Sequence, residues 1–291
     1  MTASALPAQS PSRSLLAGAL ALTGCAWLVL FAQPLTNTVS LWWSNPEAGH
    51  GLLLVPIALW LAWRKGVRPA ASANVAAGLV MIACAVALRY LSAIAAEVFV
   101  GRAAMFLAAA GIVVWAWGFR QLLWWWLPMM LLVLSVPLPE LILSSLALPL
   151  QLQASRFGAA LMVMRDIPVT LSGNVIRLPG HELFVTEACS GLRSLTALLA
   201  LGILLGGVML RHPLSRIALV IITIPIGVII NGVRVFFTGY LVAYVDPKLA
   251  EGFNHLTEGW LLFLVAFAIL GLFTWGAVAI ERRVLPQPSH A

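Results

Sequence analysis

Charged residues are scarce in this chain: Asp, Glu, Lys and Arg together make up 9% of its 291 residues. Soluble domains carry roughly 25% charged residues, so this composition excludes an ordinary water-soluble fold. Hydrophobic residues make up 62% instead, and the mean hydropathy is +0.99. The sequence therefore predicts an all-α, polytopic membrane protein whose main partner is the lipid bilayer.

Cysteine is also scarce, with three residues in the whole chain. Cys25, Cys84 and Cys189 form no CxxC pair or other metal-ligand spacing. The histidines are not at ligand spacing either, and no HExxH motif occurs. We therefore predict no metal and no cofactor, with a zinc site scattered along the chain as the weaker alternative. Because Cys25 and Cys84 lie inside apolar runs, Cys189 is the cysteine that needs a chemical explanation.

Apolar runs predict about eight transmembrane helices, each of roughly 20 residues or somewhat fewer. A retained first helix is favoured over a cleaved signal peptide because so many apolar runs follow it. Residues 1–291 are predicted to form a single transmembrane domain. The predicted spans are Leu15–Phe31, Gly51–Trp63, Val75–Ala95, Ala103–Trp117, Leu122–Val136, Cys189–Leu210, Ile217–Tyr240 and Trp260–Ile280.

The basic residues are distributed unevenly between the two predicted sides of the membrane. With a cytoplasmic N-terminus, nine of the 17 Lys and Arg residues fall on the inner side, together with one of the 10 acidic residues, Glu281. The positive-inside rule favours this orientation. The net charge of +7 then reflects topology, and no basic face with interleaved aromatic residues indicates nucleic-acid binding. The nine residues are Arg13, Arg64, Lys65, Arg68, Arg120, Arg211, Arg216, Arg282 and Arg283.

One long segment, residues 137–187, is predicted to lie outside the spans, on the outer side. Its first half spaces apolar residues as a helix does, but Gln151, Gln153 and Arg156 interrupt them, which favours an interfacial or re-entrant helix. Its second half, IPVTLSGNVIRLPGHELFVTE, has turn residues at 172–174 and 179–180 between short runs rich in Val, Ile and Thr. We predict a small β-hairpin or meander there, which leads the chain to Cys189.

Cys189 stands at the predicted start of a long apolar helix, within VTEACSGLRSL. Unsatisfied N–H groups and the macrodipole at a helix N-terminus favour a thiolate. Arg193 follows four residues later, on the same face of a helix that begins at the cysteine. Glu187 and Ser190 suit a helix start. The plain alternative is a capped helix start that carries a small buried thiol.

Further polar residues fall near the same predicted outer interface. Asn231 and Arg234 lie in the apolar run IINGVRVFFTGY, where an arginine costs about 3 kcal/mol on the insertion scale and so needs a partner or a task. His255 precedes the last span, in NHLTEGW. Taken singly, Arg234 is also explained as a snorkelling arginine and His255 as a structural histidine. Together, Cys189, Arg234 and His255 lie at the ends of three successive predicted helices.

The cysteine, histidine and arginine suit acyl transfer. A thiolate attacks a carbonyl, histidine donates a proton to the leaving amine and later activates the acceptor, and arginine stabilises the oxyanion or positions the substrate backbone. No GxSxG motif supports a serine hydrolase. Glu187 is expected to orient Arg193 or Arg234. His50 is a rival base, and its alternative is a helix-start role with a bond to the backbone.

The blocks VTEACSGLRSL, NGVRV and HLTEGW resemble, in the same order, the three motif blocks of the exosortase and archaeosortase family of membrane cysteine transpeptidases. The segments NPEAGHGLLLVP, VPLPE and LSGNVIRLPGHELFV are similar to family features too. The resemblance implies a multi-pass enzyme of the bacterial inner membrane with a periplasmic active site. Its substrates would be secreted proteins with a C-terminal sorting tail, which consists of a Pro-Glu-Pro type motif, a hydrophobic helix and a basic cluster.

The resemblance further implies cleavage near that motif through a thioacyl intermediate, and transfer to an acceptor nucleophile that is unknown, linked to protein export and exopolysaccharide. The nucleophile maps to Cys189, the arginine to Arg234 and the histidine to His255. The chain ends soon after its last span, so any activity of the soluble extension that some exosortases carry is expected from another protein. The candidate supporting or substrate-binding residues are Arg193, Glu187, Ser190, Asn231 and His50.

Two readings from other classes stay open. A transporter or channel could line a path with the same polar residues, and it predicts solute flux that survives loss of the thiol. A non-enzymatic assembly factor for envelope polysaccharide export predicts no covalent adduct at Cys189.

Overall fold

The computed structural model describes residues 13–45, 47–186, 190–245 and 252–284, with side chains from residue 14 onward and, in the last segment, from residue 259 onward. These residues form eleven helices and three short strands. In chain order they are α1 (Arg13–Leu30), α2 (Ala32–Ser44), α3 (Gly51–Lys65), α4 (Val75–Ala95), α5 (Val98–Trp117), α6 (Phe119–Trp124), α7 (Trp126–Leu134), α8 (Glu140–Val163), β1 (Thr170–Ser172), β2 (Val175–Leu178), β3 (His181–Phe184), α9 (Leu192–Met209), α10 (Pro213–Tyr244) and α11 (Gly252–Val284).

Five helices of the described chain are long and apolar enough to cross a bilayer: α4, α5, α9, α10 and the Gly259–Val284 part of α11. Helices α1 and α2 meet at a bend of 69° and add a sixth span if they cross together. The all-α polytopic class is thereby confirmed, whereas the predicted count of about eight is not. The difference lies in short helices: α3 has 15 residues, a rise of about 22 Å, against a hydrocarbon core of about 30 Å.

The predicted boundaries hold best where a helix is apolar throughout. Helix α4 has the predicted bounds, whereas α2 was not predicted because its sequence, AQPLTNTVSLWWS, is too polar for a span. Helix α2 nevertheless buries Thr38 and Trp42.

The predicted fifth span is interrupted at Trp125, whose indole N–H donates to the Gly66 carbonyl at 2.9 Å. That bond joins the break between α6 and α7 to the end of α3.

Contacts within the chain divide it into two compact units, which we call the first unit (Met1–Asn45 and Gly51–Pro137) and the second unit (Pro46–His50 and Leu138–Ala291). The single domain over residues 1–291 stays a prediction. In the first unit, α4 and α5 approach closely because Gly78 faces Trp115 across the helix pair, where a Cβ would overlap the tryptophan.

The second unit is built around α10, which has 32 residues. Helix α8 packs against it through glycines: a Cβ on Gly158 of α8 would meet Val235, and one on Gly232 of α10 would meet Phe157. Small residues at such positions let two helix backbones approach closely. Helix α8 covers the first half of the predicted insert as one continuous helix of 24 residues, so its backbone makes no re-entrant reversal.

The second half of the insert forms the predicted meander, an antiparallel sheet of order β1-β2-β3. Its turns contain Gly173 (φ +63°) and Gly180 (φ +78°), in the left-handed region that glycine tolerates best. One face of the sheet is buried: Ile176 and Val185 pack in a core with Met162 of α8 and other side chains of α8 and α10. This packing holds the end of the sheet against α8 and α10.

Candidate active site

The start of α9 differs from the prediction. Gly191 has φ +78°, so the helix begins at Leu192 and not at Cys189, and its first N–H donates to the Ser190 hydroxyl oxygen at 3.2 Å. Glu187 and Cys189 lie outside the described residues. The same-face spacing between Cys189 and Arg193 required a helix that begins at the cysteine, so that argument was wrong. Ser190, 3% exposed, does support the helix start as expected.

Gly191 is held against α10. A Cβ built at this glycine would overlap the side chain of Asn231, which is 6% exposed. Two separate constraints, the positive φ and this contact, therefore require glycine at position 191. The contact joins the segment just after Cys189 to one face of α10.

Arg234 lies on that same face of α10, three residues after Asn231. Its half-buried side chain extends to α11: a Cβ built on Gly259 would be 3.4 Å from Nη2 and 3.5 Å from Cζ of the arginine. Position 255 precedes Gly259 by four residues in the same helix, so both positions share one face of α11. The side chain of His255 itself lies outside the described residues.

Arg234 also borders a small, partly open cleft beside the sheet. One wall comes from the end of β3 and the residue after it, and the other from a single turn of α10. The lining residues are Leu183, Phe184, Val185, Arg234, Val235 and Thr238. Of these six residues, the sequence indicated the arginine as a site candidate and none of the other five.

Two further predicted residues are described but do not line this cleft. Arg193 is exposed in the first turn of α9, where its carbonyl accepts a hydrogen bond from the Thr196 hydroxyl at 3.0 Å. His50 is half-buried in the turn before α3, and its segment groups with the second unit. The structure thus brings together Gly191, Asn231, Arg234 and Gly259. The two candidate arginines differ in environment, because Arg193 is exposed and Arg234 is half-buried.

The other ends of α9, α10 and α11 meet at Glu281, which is 8% exposed. Its two carboxylate oxygens accept the backbone N–H groups of Arg211 at 2.8 Å and His212 at 3.0 Å. Arg216 donates twice to the Leu210 carbonyl, from Nε at 3.0 Å and Nη2 at 2.8 Å. In the sequence, Glu281 is the one acid among the basic residues of the predicted inner side, and that isolation was the available signal for this junction.

The helices and their polar residues define a class first: a polytopic membrane protein in which a half-buried arginine of α10 extends to α11 beside a small cleft. The sequence model of one protein family, described as transmembrane exosortase, matches residues 42–272, about four fifths of the chain. This chain therefore belongs to the transmembrane exosortase family. Comparison with curated proteins found no match, and comparison with solved structures found none.

Proposed function

We propose that this chain is a membrane cysteine peptidase that cleaves a C-terminal sorting tail and transfers the secreted protein to an acceptor. Cys189 is the nucleophile, His255 the general acid and base, and Arg234 the donor that stabilises the oxyanion. The observation that carries the proposal is the meeting of three chain segments: Gly191 contacts Asn231, and Arg234 on the same face of α10 reaches Gly259.

Covalent geometry connects this meeting point to the proposed nucleophile. Two peptide units separate Cys189 from Gly191, so their Cα atoms are at most about 7 Å apart. Position 255 lies about 6 Å along α11 from Gly259, on the face that Arg234 contacts. Cys189 is therefore two residues from the contact that Gly191 makes with α10. His255 is about one helical turn from the contact that Gly259 makes with Arg234.

The proposed reaction uses one proton carrier. His255 accepts the thiol proton of Cys189, the thiolate attacks the scissile carbonyl carbon, and Arg234 donates hydrogen bonds to the oxygen that becomes negative. The imidazolium then gives its proton to the leaving amine nitrogen as the peptide C–N bond breaks and a thioester forms. In the second half, His255 accepts the proton of the incoming nucleophile, which attacks the thioester and releases the thiolate.

The remaining predicted residues have supporting roles in this proposal. Asn231 holds the Ser190–Gly191 corner that follows the nucleophile, as its contact with Gly191 indicates. Glu187 orients Arg234 or Arg193 by its charge. His50 is a second candidate base, on a segment that groups with the second unit.

The proposed orientation places the active site on the periplasmic side of the bacterial inner membrane. Arg216 and Arg234 are 18 positions apart on α10, a rise of about 27 Å, which is close to the thickness of a bilayer's hydrocarbon core. The Glu281 end, rich in Arg residues, then faces the cytoplasm. The apolar helix of a sorting tail would lie beside the spans, with its basic end at the cytoplasmic surface and its motif at the cleft.

The test uses the full chain in proteoliposomes and a reporter protein that ends in a Pro-Glu-Pro segment, an apolar helix and a basic cluster. Cys189→Ala should abolish processing, and Cys189→Ser should lower it by several orders of magnitude. The matched control is the double variant Cys25→Ala and Cys84→Ala, which removes the two exposed thiols of α1 and α4 and should process normally.

That double variant leaves Cys189 as the one thiol in the chain, so a thioester adduct with the reporter can be assigned by mass spectrometry. Hydroxylamine should release the adduct. Processing at the normal rate by Cys189→Ala would overturn the proposal. Solute flux across the same vesicles that persists in this variant would favour a transporter instead.

A further inference from the structure

We propose that the first unit binds the phosphodiester of an anionic phospholipid between Arg89 of α4 and Arg102 of α5, beside Gln33 at the start of α2. The candidate active site lies in the second unit, and the inference does not depend on the proposed peptidase chemistry. It adds a binding site and the chemical class of its ligand.

Both arginines lie near the turn that joins the antiparallel helices α4 and α5. Arg89 precedes the end of α4 by six residues, and Arg102 follows the start of α5 by four, which are distances of about 9 Å and about 6 Å along the helices. A Cβ built at Gly101 of α5 would be 2.7 Å from the Ser92 hydroxyl oxygen of α4, so these two positions face each other. Counted from that contact, Arg89 and Arg102 differ by only about 3 Å in depth.

The corner between α1 and α2 packs on this end of α4 and α5. The ring of Pro34 would be 3.8 Å from a Cβ built at Gly101, so α2 begins over the seam between the two helices. The neighbouring Gln33 accepts a hydrogen bond at its side-chain oxygen from Nη2 of Arg89, at 2.9 Å. Arg89 therefore reaches across from α4 to the α1–α2 corner.

Arg102 lies on the side of α5 that meets the same corner. It shares one face of the helix with Met105, three positions later. The Met105 carbonyl accepts the indole N–H of Trp27 in α1 at 3.0 Å, and Phe31 at the α1–α2 bend packs in the same core cluster as Met105. Two neighbouring helices thus each bring one guanidinium group to the corner.

The charges at this corner do not balance within the protein. Glu97 attracts Arg102 electrostatically, and it is the one acidic residue in the sequence of the first unit. The salt bridge in the described part of the chain joins Arg177 to Glu182, so neither arginine of the corner is paired with a carboxylate there. Two guanidinium groups and one carboxylate leave a net charge of one positive unit.

Packing also removes part of the water from both guanidinium groups. The Nε atoms of Arg89 and Arg102 are buried, and neither has an acceptor among the described residues. The two residues as a whole are half-buried, and the bond from Arg89 to Gln33 is exposed, so the Nη groups are the donors that a ligand can reach. A partly desolvated cation without a counter-ion is costly in a membrane, and an anion bound at the Nη groups offsets that cost.

A phospholipid phosphodiester suits this corner in charge, geometry and depth. Its single negative charge balances the corner, and guanidinium groups donate paired hydrogen bonds to phosphate oxygens. Helix α4 rises about 31 Å, so its ends lie at the boundary of a hydrocarbon core of about 30 Å, which long arginine side chains reach from below. An anionic headgroup is preferred because the ammonium group of a zwitterionic one would bring back a positive charge.

The first experiment uses the unchanged protein. The full chain is released from nanodiscs that contain equal amounts of phosphatidylglycerol and phosphatidylcholine, and native mass spectrometry identifies the lipids that stay bound. We expect one phosphatidylglycerol per chain, favoured at least about 5-fold over phosphatidylcholine, because charge-assisted hydrogen bonds hold it. Equal retention of the two lipids would overturn the inference.

A competition arm distinguishes a lipid from a free anion. Inorganic phosphate and glycerophosphoglycerol, the headgroup without acyl chains, are added separately at about 10 mM before release. If the site is built for a membrane lipid, neither displaces the bound phosphatidylglycerol, because the acyl chains add buried apolar area. Displacement by either compound would show that the corner binds soluble phosphates, and it would overturn the assignment to a lipid.

The second experiment removes one charge at a time. Arg89→Gln and Arg102→Gln should each lower the retained phosphatidylglycerol at least about 5-fold. The matched control is Arg120→Gln in α6, which removes the same charge from an exposed residue of the same unit and should change retention less than about twofold. An equal loss in all three variants would indicate a general charge effect and would overturn the site.

The third experiment keeps both arginines and fills the site from within. Gln33→Glu puts a carboxylate beside Nη2 of Arg89, so it balances the charge and competes with the phosphodiester. Retention should fall at least about 5-fold, whereas Gln153→Glu, at an exposed position of α8, should change it less than about twofold. Because no arginine is removed, this variant also tests the site if the arginine variants fail to fold. Unchanged retention in Gln33→Glu would contradict the inference.

Discussion

Arg216 and Arg234 lie near opposite ends of α10, and their surroundings differ. Arg216 donates two hydrogen bonds to the Leu210 carbonyl, next to the junction that Glu281 makes with the α9–α10 connection. Arg234 extends to Gly259 of α11 and borders a small, partly open cleft. Arg216 is bonded to the connection between two helices, whereas Arg234 lies between two helices beside a cleft.

The difference shows that a charged residue in an apolar helix is best interpreted from its neighbours. Both arginines satisfy the expectation that such a residue has a partner or a task. At the end of a helix, backbone carbonyls accept hydrogen bonds from a guanidinium, so an arginine there has its partner within the protein. Where the facing residue is glycine, as at position 259, the neighbouring helix leaves room for the arginine side chain.

Substituting the two arginines should give the largest contrast. Arg234→Ala should lower the kcat for reporter processing by about 10²- to 10³-fold, because it removes the proposed oxyanion donor. Arg216→Ala should leave kcat per folded molecule within about twofold and instead lower the melting temperature. Processing kinetics and thermal melting in detergent measure both effects. A catalytic loss in Arg216→Ala as large as that in Arg234→Ala would remove the contrast.

The corner before α9 offers a matched pair of glycines. Gly191 and Gly173 both have positive φ, but a Cβ at Gly191 would overlap Asn231, whereas one at Gly173 meets nothing within 4 Å. Alanine at either site costs about 1–2 kcal/mol in backbone strain. Gly191→Ala should additionally lower processing at least about 10-fold, by displacing the segment that follows Cys189. Equal effects of the two substitutions on activity would show that the Asn231 contact does not matter.

The Glu281 junction should affect stability and leave catalysis unchanged. Glu281→Gln puts an amide N–H₂ opposite a backbone N–H, and we expect the free energy of unfolding to fall by about 1–2 kcal/mol. Glu140→Gln, at an exposed position in the first turn of α8, is the control and should change it by less than about 0.5 kcal/mol. Melting temperatures of the two variants check this order, and the reverse order would contradict it.

The smallest expected effect is at Gly259. A Cβ there would be in ordinary van der Waals contact with the Arg234 guanidinium, at 3.4 Å from Nη2, so Gly259→Ala should change processing less than about twofold. Gly259→Leu places a branched side chain where the guanidinium lies, and it should approach the loss seen in Arg234→Ala. Processing assays on both variants test this, and a leucine variant as active as the wild type would contradict the placement of Arg234 against α11.

The elements that the sequence predicted well are those whose signal is local. Helix α4 is apolar along its whole length, and its bounds match the prediction. The meander was predicted because turn residues at 172–174 and 179–180 separate short alternating runs. Helix α2 was missed because its sequence is too polar for a span; packing within the first unit buries only one face of it, with Pro34, Thr38 and Trp42.

The features of the candidate site also divide into those with a local signal in the sequence and those that depend on distant residues. Motif order in the sequence predicted the exosortase family, and the family match over residues 42–272 confirms it. The start of α9 was misplaced because the left-handed turn at Gly191 accompanies a contact with Asn231, 40 positions away in the sequence. No sequence motif indicated the cleft that Arg234 borders, because its walls come from segments about 50 residues apart.

The sequence by itself determined the membrane class, the family and the small sheet, since hydropathy, motif blocks and turn residues act over a few neighbouring positions. Only the tertiary structure decided which of the arginines borders a cleft, where α9 begins and that Gly259 accommodates Arg234. Those features depend on the close packing of helices against one another, and a side chain's environment at such a contact is set by residues far away in the sequence.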